Sequence, residues 1–297
     1  MDFRNDASQT ALLDILREVL ARHAGAAGAG FDAGLFGALR DAGLLDTAAG
    51  GSAALGAVLL TEAIGASDVL QPFGAQALVG PLFGTASAGG PLAVCVDGRA
   101  APVRHGGDAA AVAVIGTREA VLYRARPAQA QPVAANYVYP LARPAWDHDN
   151  ALARAPAAAA WRCWRLAIAA ETVGTMDAAL QKVVAYVSGR KQFGLALGAF
   201  QGLQHRLAEH AVAIESARWL VREAAWLEDD LSAASAAAFT AATAHRFCFD
   251  AHQLCGARGF IHEFGLYRWT LRMKFLSQEG GGEREHAAAA AALRWAV

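Results

Sequence analysis

The segment Arg190–Gln201, which reads Arg-Lys-Gln-Phe-Gly-Leu-Ala-Leu-Gly-Ala-Phe-Gln, joins two long helical patterns in a chain of 297 residues. Its arginine offers a planar fork of donors that can hold a phosphate or diphosphate in two parallel hydrogen bonds. Phe193 adds a flat apolar face, and Gly194 and Gly198 allow a sharp backbone. Gln201 places an amide near the start of the next helix. On spacing alone, an ordinary interhelical turn with an exposed arginine is the simpler interpretation.

The order Arg-x-x-Phe-Gly-(x)5-Phe-Gln, however, resembles a motif of the acyl-CoA dehydrogenase family. A second segment, Gln253–Phe260, reads Gln-Leu-Cys-Gly-Ala-Arg-Gly-Phe and is similar to that family's Gln-x-x-Gly-Gly-x-Gly-Phe loop. Two motifs in the family's order and at family-like spacing make the resemblance specific. It implies an acyl-CoA substrate, and FAD as the acceptor of the hydride.

The resemblance also implies which residues meet the cofactor. In the family, the matching arginine and aromatic hold the diphosphate and adenine end of FAD bound to the neighbouring subunit, and the second loop meets the same adenosine. Such sharing implies a homodimer or tetramer, or a hetero-oligomer with a full-length paralogue. The expected cofactor-binding residues are Arg190, Gln192, Phe193, Gln201, Gln253, Gly256 and Ala257.

Helical patterns cover most of the chain outside these motifs. The pattern from Pro156 to Ser188 is apolar nearly all round, which is typical of a helix buried among others. Within it, Glu171 and Asp177 are interpreted as paired structural charges. Further patterns cover about 202–231, 233–255, 266–277 and 285–297. Long antiparallel helices joined by short turns predict a four-helix bundle.

The preceding half divides into helices and strands. Ser8 is expected to cap a first helix, and two more are predicted at about 31–42 and 52–64. From Leu92 the period changes to short apolar runs typical of strands, at 92–96, 111–115, 120–124 and 136–141. Trp146–Asp149 is interpreted as the loop into the bundle.

The predicted fold class is therefore mainly α with a small β-domain, of the acyl-CoA dehydrogenase type. An N-terminal helical domain should cover residues 1–88, a truncated middle β-domain 89–155, and the C-terminal bundle 156–297. The family's strands that bind the isoalloxazine ring and the substrate thioester have no recognisable counterpart between Gly65 and Leu92.

Glu279 is the candidate catalytic base. The family's reaction removes a proton from the carbon alpha to a thioester, which needs a desolvated carboxylate and hydrogen bonds on the thioester oxygen. Glu279 falls within one residue of the position where the commonest branch carries this glutamate. The family's tyrosine and threonine neighbours are missing, and three glycines at 280–282 predict a flexible loop. A solvated loop acid before a helix N-terminus is the alternative.

Composition excludes several other classes of protein. A formal net charge of -1 argues against nucleic acid or a membrane surface as partner. Prolines and glycines interrupt the uncharged stretch from Val69 to Val96, so it is expected to be a buried connection and not a transmembrane segment. The four cysteines form no CxxC pair and suggest a reducing cytoplasm without a metal site. We see no signal peptide at the start of the chain.

Three functions remain open from the sequence. The first is an acyl-CoA dehydrogenase-like flavoprotein that performs alpha,beta-dehydrogenation of an acyl-CoA thioester. The second is a non-catalytic subunit that completes the FAD site of a full-length partner, which the short N-terminal half and the altered base segment favour. The third is a helical scaffold that binds no flavin.

Overall fold

The computed structural model describes residues 5–23, 30–46, 53–84, 90–96, 101–136 and 138–295. Helices occupy the first part of this chain: α1 (Ala7–Arg22), α2 (Ala33–Asp41) and α3 (Ala53–Ala66). A buried connection follows, with a π-helical turn at Ala75–Val79 and a 3-10 turn at Gly80–Phe83. The apolar stretch after Val69 is thus folded into the core as far as residue 84, and residues 85–89 lie outside the described part.

Two small sheets follow the helices. The first has four strands in the order β1 (Leu92–Val96), β3 (Ala111–Ile115), β4 (Glu119–Ala125) and β7 (Trp146–Pro156). β1 and β3 are parallel, and the other pairs are antiparallel. The second sheet is antiparallel and has the order β2 (Val103–Arg104), β6 (Leu141–Arg143) and β5 (Gln131–Val133). The two sheets lie between the helical parts in sequence.

The C-terminal part is a helical bundle. Its members are α4 (Ala157–Gly189), α5 (Gln201–Leu227), α6 (Asp230–Cys255), α7 (Tyr267–Leu276) and α8 (Gly282–Trp295). A hairpin of β8 (Lys191–Gln192) and β9 (Leu195–Ala196) separates α4 from α5. The fold is mainly α with a small β part, as the sequence predicted.

Helix α4 is the centre of the packing. It contacts α3, α5, α6 and α7, which explains its apolar circumference. The approach of α3 is so close that a Cβ at Gly174 would lie 1.9 Å from the carbonyl oxygen of Glu62, and one at Gly65 would lie 2.3 Å from that of Glu171. One hydrophobic cluster runs from α1 through the first sheet to α7. The predicted domain boundaries at residues 88 and 155 coincide with changes in secondary structure, but the hydrophobic core continues across them. The division into three domains therefore stays a prediction.

The structure corrects several local predictions. Asp6, and not Ser8, caps α1, because its carboxylate accepts from the Gln9 amide while the Gln9 side chain accepts from the Asp6 amide. The predicted strand at 136–141 is replaced by β6, which begins at residue 141. Trp146–Asp149 is not a loop but the start of β7, which pairs with β4 through two register shifts.

Candidate functional site

The segment Arg190–Gln201 begins with a tight hairpin between α4 and α5. Phe193 and Gly194 form its turn with φ angles of 55° and 82°, the left-handed pair that a two-residue hairpin requires. The Leu197 amide donates to the carbonyl of Arg190 (2.8 Å), which closes the hairpin. Phe193 is 89% exposed. A bulky residue in this conformation is strained, so the backbone holds an aromatic face outward at a cost.

A groove of about 1060 Å³ brings the two motifs together. The hairpin and the end of α4 form one wall, and the loop after α6 forms another. Five of the seven predicted cofactor-binding residues line this groove: Arg190, Gln192, Gln253, Gly256 and Ala257. Phe193 and Gln201 do not line it. Phe193 is exposed at the hairpin tip, and Gln201 begins α5 with an exposed side chain.

The charge of this groove is positive. Arg190, Arg206 and Arg258 line it, and none of the described lining residues is an aspartate or glutamate. Neither Arg190 nor Arg258 forms an ion pair with a described residue, whereas Arg206 pairs with Asp250. Helix α5 begins nearby without a side-chain cap, so the positive end of its dipole adds to the field. The groove is chemically suited to an anion with several oxygen atoms.

Glu279 lies elsewhere, in a buried cluster of charges. Its side chain is 13% exposed, and its Oε1 atom accepts from Nε of Arg104 at 3.1 Å. Arg104 is itself only 6% exposed and lies over the rings of Trp164 and Tyr139. The Oε2 atom of Glu279 has no partner among the described residues. The candidate base is therefore bound on one oxygen by an arginine.

Glu171 on α4 completes this cluster. Its carboxylate pairs with Arg104 and with Arg272 (2.7 Å), and it accepts from the Tyr139 hydroxyl at 2.7 Å. Arg272 also donates to the carbonyl of Ser67 at 3.0 Å. Glu171 is thus a paired structural charge, as predicted. The cluster ties the N-terminal helices, the second sheet and the bundle together.

The two carboxylates of the cluster have opposite pKa shifts. Burial raises the pKa of Glu279 to about 7, because the attraction of Arg104 does not compensate for desolvation and Glu171 adds repulsion. Burial would also raise the pKa of Glu171, but Arg104 and Arg272 outweigh it and lower the pKa to about 2. Glu171 is therefore ionised at neutral pH, and Glu279 titrates near it.

The glycines after Glu279 form a tight turn that leads into α8. Gly280, Gly281 and Gly282 all have positive φ angles, between 65° and 92°. His286 of α8 is 2% exposed, and its Nε2 atom lies 3.2 Å from the carbonyl oxygen of Glu279. A Cβ at Gly280 would meet the His286 ring at 2.9 Å. The turn and α8 hold Glu279 in place.

A cavity of about 320 Å³ adjoins Glu279. Apolar side chains form most of its wall, with Val94 and Val96 from β1, Trp164 from α4 and Phe275 from α7. Burial in these surroundings is the cause of the raised pKa of the carboxyl group. The cavity and the groove share no lining residue.

Sequence reasoning found the groove residues but missed most of the cluster. Arg104, Tyr139 and Arg272 are distant from Glu171 in sequence, and no motif marks them. One signal was present: a lone acid in an apolar helix, such as Glu171, requires a buried cation. The sequence did not indicate which arginine would supply it.

The described residues contain neither a membrane-spanning helix nor a cluster of metal ligands. None of their helices is long and apolar enough to cross a membrane. Their histidine, cysteine, aspartate and glutamate side chains form no group of three that could hold a metal ion.

The bundle is similar in sequence to known proteins. Residues 159–292 match the family described as acyl-CoA dehydrogenase, C-terminal domain. The probable acyl-CoA dehydrogenase YngJ of Bacillus subtilis is 40% identical over 126 residues, and benzylmalonyl-CoA dehydrogenase of Aromatoleum aromaticum is 36% identical over 126 residues. Each match covers 41% of this chain and 33% of the relative. The chain thus spans about a third of the length of the curated relatives that it matches.

Solved structures extend the likeness in fold to the whole chain. The ChsE4–ChsE5 complex from Mycobacterium tuberculosis contains a chain that superposes with a TM-score of 0.80 at 20% identity, covering 99% of both chains. Butyryl-CoA dehydrogenase from Megasphaera elsdenii gives a TM-score of 0.79 at 17% identity, covering 99% of this chain and 100% of that one. The helices and sheets before the bundle therefore share the acyl-CoA dehydrogenase fold.

Proposed function

We propose that the chain is an FAD-binding subunit of an acyl-CoA dehydrogenase, because residues 159–292 match the family described as acyl-CoA dehydrogenase, C-terminal domain. The observation that carries the proposal is the groove, where Arg190, Gln192, Gln253, Gly256 and Ala257 lie together. Both motifs that resemble the FAD-binding segments of the family thus supply the walls of one concave site.

The groove fits the diphosphate and adenosine end of FAD in its chemistry. Arg190 has no competing carboxylate among the described residues, so its donors are free for a diphosphate. Gln192 and Gln253 supply amides for a ribose or a base. Gly256 has a φ angle of 56°, and a Cβ there would meet no atom within 4 Å, so the backbone at this point is open to a ligand. When bound, FAD would accept the hydride of the dehydrogenation.

The buried cluster favours a subunit that does not itself remove the alpha proton. An ionised carboxylate whose Oε1 atom is bound by a buried arginine is a weaker base than an unpaired one, because the ion pair stabilises the charged form. Arg104 is also held by an ion pair with Glu171 and by contacts with two aromatic rings. Its ion pair with Glu279 is therefore not easily broken. We therefore propose that a full-length paralogue supplies the base and the isoalloxazine site, and that this chain completes the adenosine side.

A specific observation favours a second function, in which this chain is itself the dehydrogenase. The Oε2 atom of Glu279 has no partner in the described part of the chain, the pKa of the carboxyl group is raised to about 7, and an apolar cavity adjoins it. A base of this pKa is well matched to neutral pH. In this reading Arg104 would orient Glu279 through its Oε1 atom and leave Oε2 to accept the proton.

Purification of the chain alone and with a full-length paralogue tests the proposal. Alone, the chain should be largely colourless. Each missing ring-side hydrogen bond removes about 0.5–1.5 kcal/mol, and each 1.4 kcal/mol weakens binding tenfold, so three or four losses weaken it by several powers of ten. Co-expressed, the pair should purify as one complex with flavin absorbance. A colourless complex, or no complex, would contradict the partner-subunit proposal. Stoichiometric flavin in the chain alone would favour the second function.

A further inference from the structure

A second groove, of about 680 Å³, lies over α6 between α5 and α8. Helix α6 packs against both of these helices. Small side chains spaced along one face of α6 line the groove: Ser232, Ser235, Ala238 and Ala242. Leu220 of α5 and Trp295 of α8 line it from the two sides. The small residues of α6 are only half-buried, so the described chain leaves this groove open to solvent.

Large apolar side chains surround the second groove and remain exposed. Trp295, in the last turn of α8, is 73% exposed, and Phe239 of α6 is 39% exposed. Trp226 and Leu227, which follow the groove residue Glu223 by one turn of α5, are 53% and 47% exposed. Isolated apolar side chains on a surface need no explanation. A cluster of them around a concave site is typical of a surface that another protein covers.

The size of this face suits a stable interface. Helix α8 has 14 residues and is therefore about 21 Å long. Three helices side by side, with axes about 10 Å apart, give the face a width of about 30 Å. Its area is about 600 Å² in projection, and side chains that stand out from it add to the area that a partner can bury. A standard interface buries about 800 Å² on each partner, so the face is of the required size.

Two charges of opposite sign line the second groove at the two ends of α8. Glu283 lies in the first turn of the helix and Arg294 in the last, about 16 Å apart along the axis. Neither forms an ion pair within the described part of the chain, whereas Arg284 pairs with its neighbour Glu285. Because the two charges are too far apart to pair with each other, only another molecule can neutralise both.

A second copy of this chain supplies both partners at once. In a two-fold symmetric contact, residue i of one copy meets residue j of the other, and j meets i. Two antiparallel α8 helices therefore place Glu283 of each copy against Arg294 of the other, and their helix dipoles are also opposed. The alanines at 287–292 have small side chains, which allow the two helices to approach closely.

We propose that the second groove is the contact surface between two copies of this chain, which pack with their α8 helices antiparallel across a two-fold axis. Helix α5 begins after the hairpin and has 27 residues, so its far end lies about 40 Å away. The contact uses that far end and leaves the groove at the hairpin free. Two copies, each bound to a full-length paralogue, then form a complex of four chains. The inference does not depend on the proposed function, because the contact involves none of the proposed flavin-binding residues.

Sedimentation of the chain over a range of concentrations tests the contact. Each protein carries Phe193→Asn, so that the exposed hairpin contributes little to association. This parent should dimerise at micromolar concentration, and Phe239→Ser should raise its dissociation constant at least tenfold, as expected for a large apolar residue near the centre of an interface. The matched control is Phe249→Ser on the same helix, which is 62% exposed and does not line the second groove. A monomeric parent, or an equal effect of the two serine substitutions, would overturn the proposal.

Charge reversal tests the two-fold arrangement itself. Glu283→Arg and Arg294→Glu should each weaken self-association at least tenfold, because symmetry places two pairs of like charges in every contact. An equimolar mixture of the two variants should dimerise again, since each then meets the opposite charge on the other, and mixing cannot repair a misfolded chain. Arg284→Glu is the control, because this side chain is 91% exposed and outside the second groove. If the mixture stays monomeric, or if the control has the same effect, the proposal is wrong.

The complex with a full-length paralogue separates this inference from the proposed function. If the complex carries flavin but contains two chains instead of four, the inference is wrong and the proposed function stands. If charge reversal weakens binding of the paralogue and not self-association, the paralogue covers the second groove and the inference is again wrong. If the chain dimerises as described but forms no flavin complex, the proposed function is wrong and the contact between copies stands.

Discussion

The Nε atom of Arg104 lies 3.1 Å from the Oε1 atom of Glu279, although a long stretch of chain separates the two residues. Arg104 comes from strand β2 and Glu279 from the turn before α8. Their ion pair occupies the position where the resemblance to acyl-CoA dehydrogenases implies a base. It joins the β part of the fold to the bundle at the same time. Several properties of the chain should depend on this pair.

The first prediction concerns the pH dependence of stability. The pKa of Glu279 is raised from 4.5 to about 7 in the folded chain, so the folded state binds its proton more tightly than the unfolded state. The resulting stabilisation is complete below about pH 4.5 and is lost as the pH rises through about 7. Its slope is at most about 1.4 kcal/mol per pH unit.

Urea denaturation of wild type and Glu279→Gln at a series of pH values measures this effect. The difference in free energy of unfolding should change between pH 4.5 and 7 and should be constant above about pH 8. Taking the difference cancels the buried histidines, such as His286, whose pKa burial lowers to about 4. Glu283→Gln, at an exposed position in the same segment, is the control. A constant difference across the whole range would contradict the prediction.

The second prediction concerns the close approach of α3 and α4. Gly174→Ala should lower the free energy of unfolding by about 3 kcal/mol, because its Cβ would lie 1.9 Å from the carbonyl oxygen of Glu62 and the two helices must separate. Gly189→Ala in the same helix has no atom within 4 Å of the new Cβ and should be neutral or slightly stabilising. Equal stability of the two variants in urea would show that the helices adapt at little cost.

The sequence predicted the local pattern better than the long-range pairing. β1 and β3 were predicted with the observed bounds, because a short apolar run between turn residues is a sufficient signal. β7 was missed, because Asp147, His148 and Asp149 are polar and the strand is visible only through its pairing with β4. The same limit explains the cluster. Glu171 was identified as a paired charge, but its partners Arg104 and Arg272 are brought to it by tertiary packing.

The apolar circumference of α4 is covered by helices of the same chain, so it gives no support for an interface between subunits. A different feature supports association. Phe193 and Phe260 are 89% and 75% exposed at the two segments that border the groove. Exposed aromatic rings that lie close together on a surface are typical of a site of protein–protein contact.

The third prediction is therefore that Phe193 contributes to association. The chain, alone or with its paralogue, should be at least dimeric at micromolar concentration, and Phe193→Asn should weaken association at least tenfold. Asparagine tolerates the left-handed backbone at this position, so the fold should be retained. Phe249→Asn, at a 62% exposed aromatic on α6, is the control. Light scattering measures the association, and a monomeric wild type would exclude a site shared between subunits.

The fourth prediction concerns Arg190. In the complex with a paralogue, Arg190→Ala should reduce the flavin content by at least tenfold, because a diphosphate loses two charge-assisted hydrogen bonds. Arg284→Ala should retain the flavin. Circular dichroism should be the same for both variants, since Arg190 is exposed and forms no ion pair with a described residue. Full flavin content in Arg190→Ala would remove this residue from the cofactor site.

The last prediction decides which chain carries the base. If Glu279 is held by Arg104 as a structural charge, the flavin of the complex should bleach with acyl-CoA at the same rate in Glu279→Gln as in wild type. The glutamine keeps a carbonyl oxygen for the Arg104 hydrogen bond and removes the basic carboxylate, so the variant tests basicity with little change in shape. Replacing the corresponding glutamate of the paralogue should instead abolish bleaching. If Glu279→Gln stops the bleaching and leaves the flavin content unchanged, Glu279 is the base, and Arg104 orients it through Oε1 while the unpartnered Oε2 takes the proton.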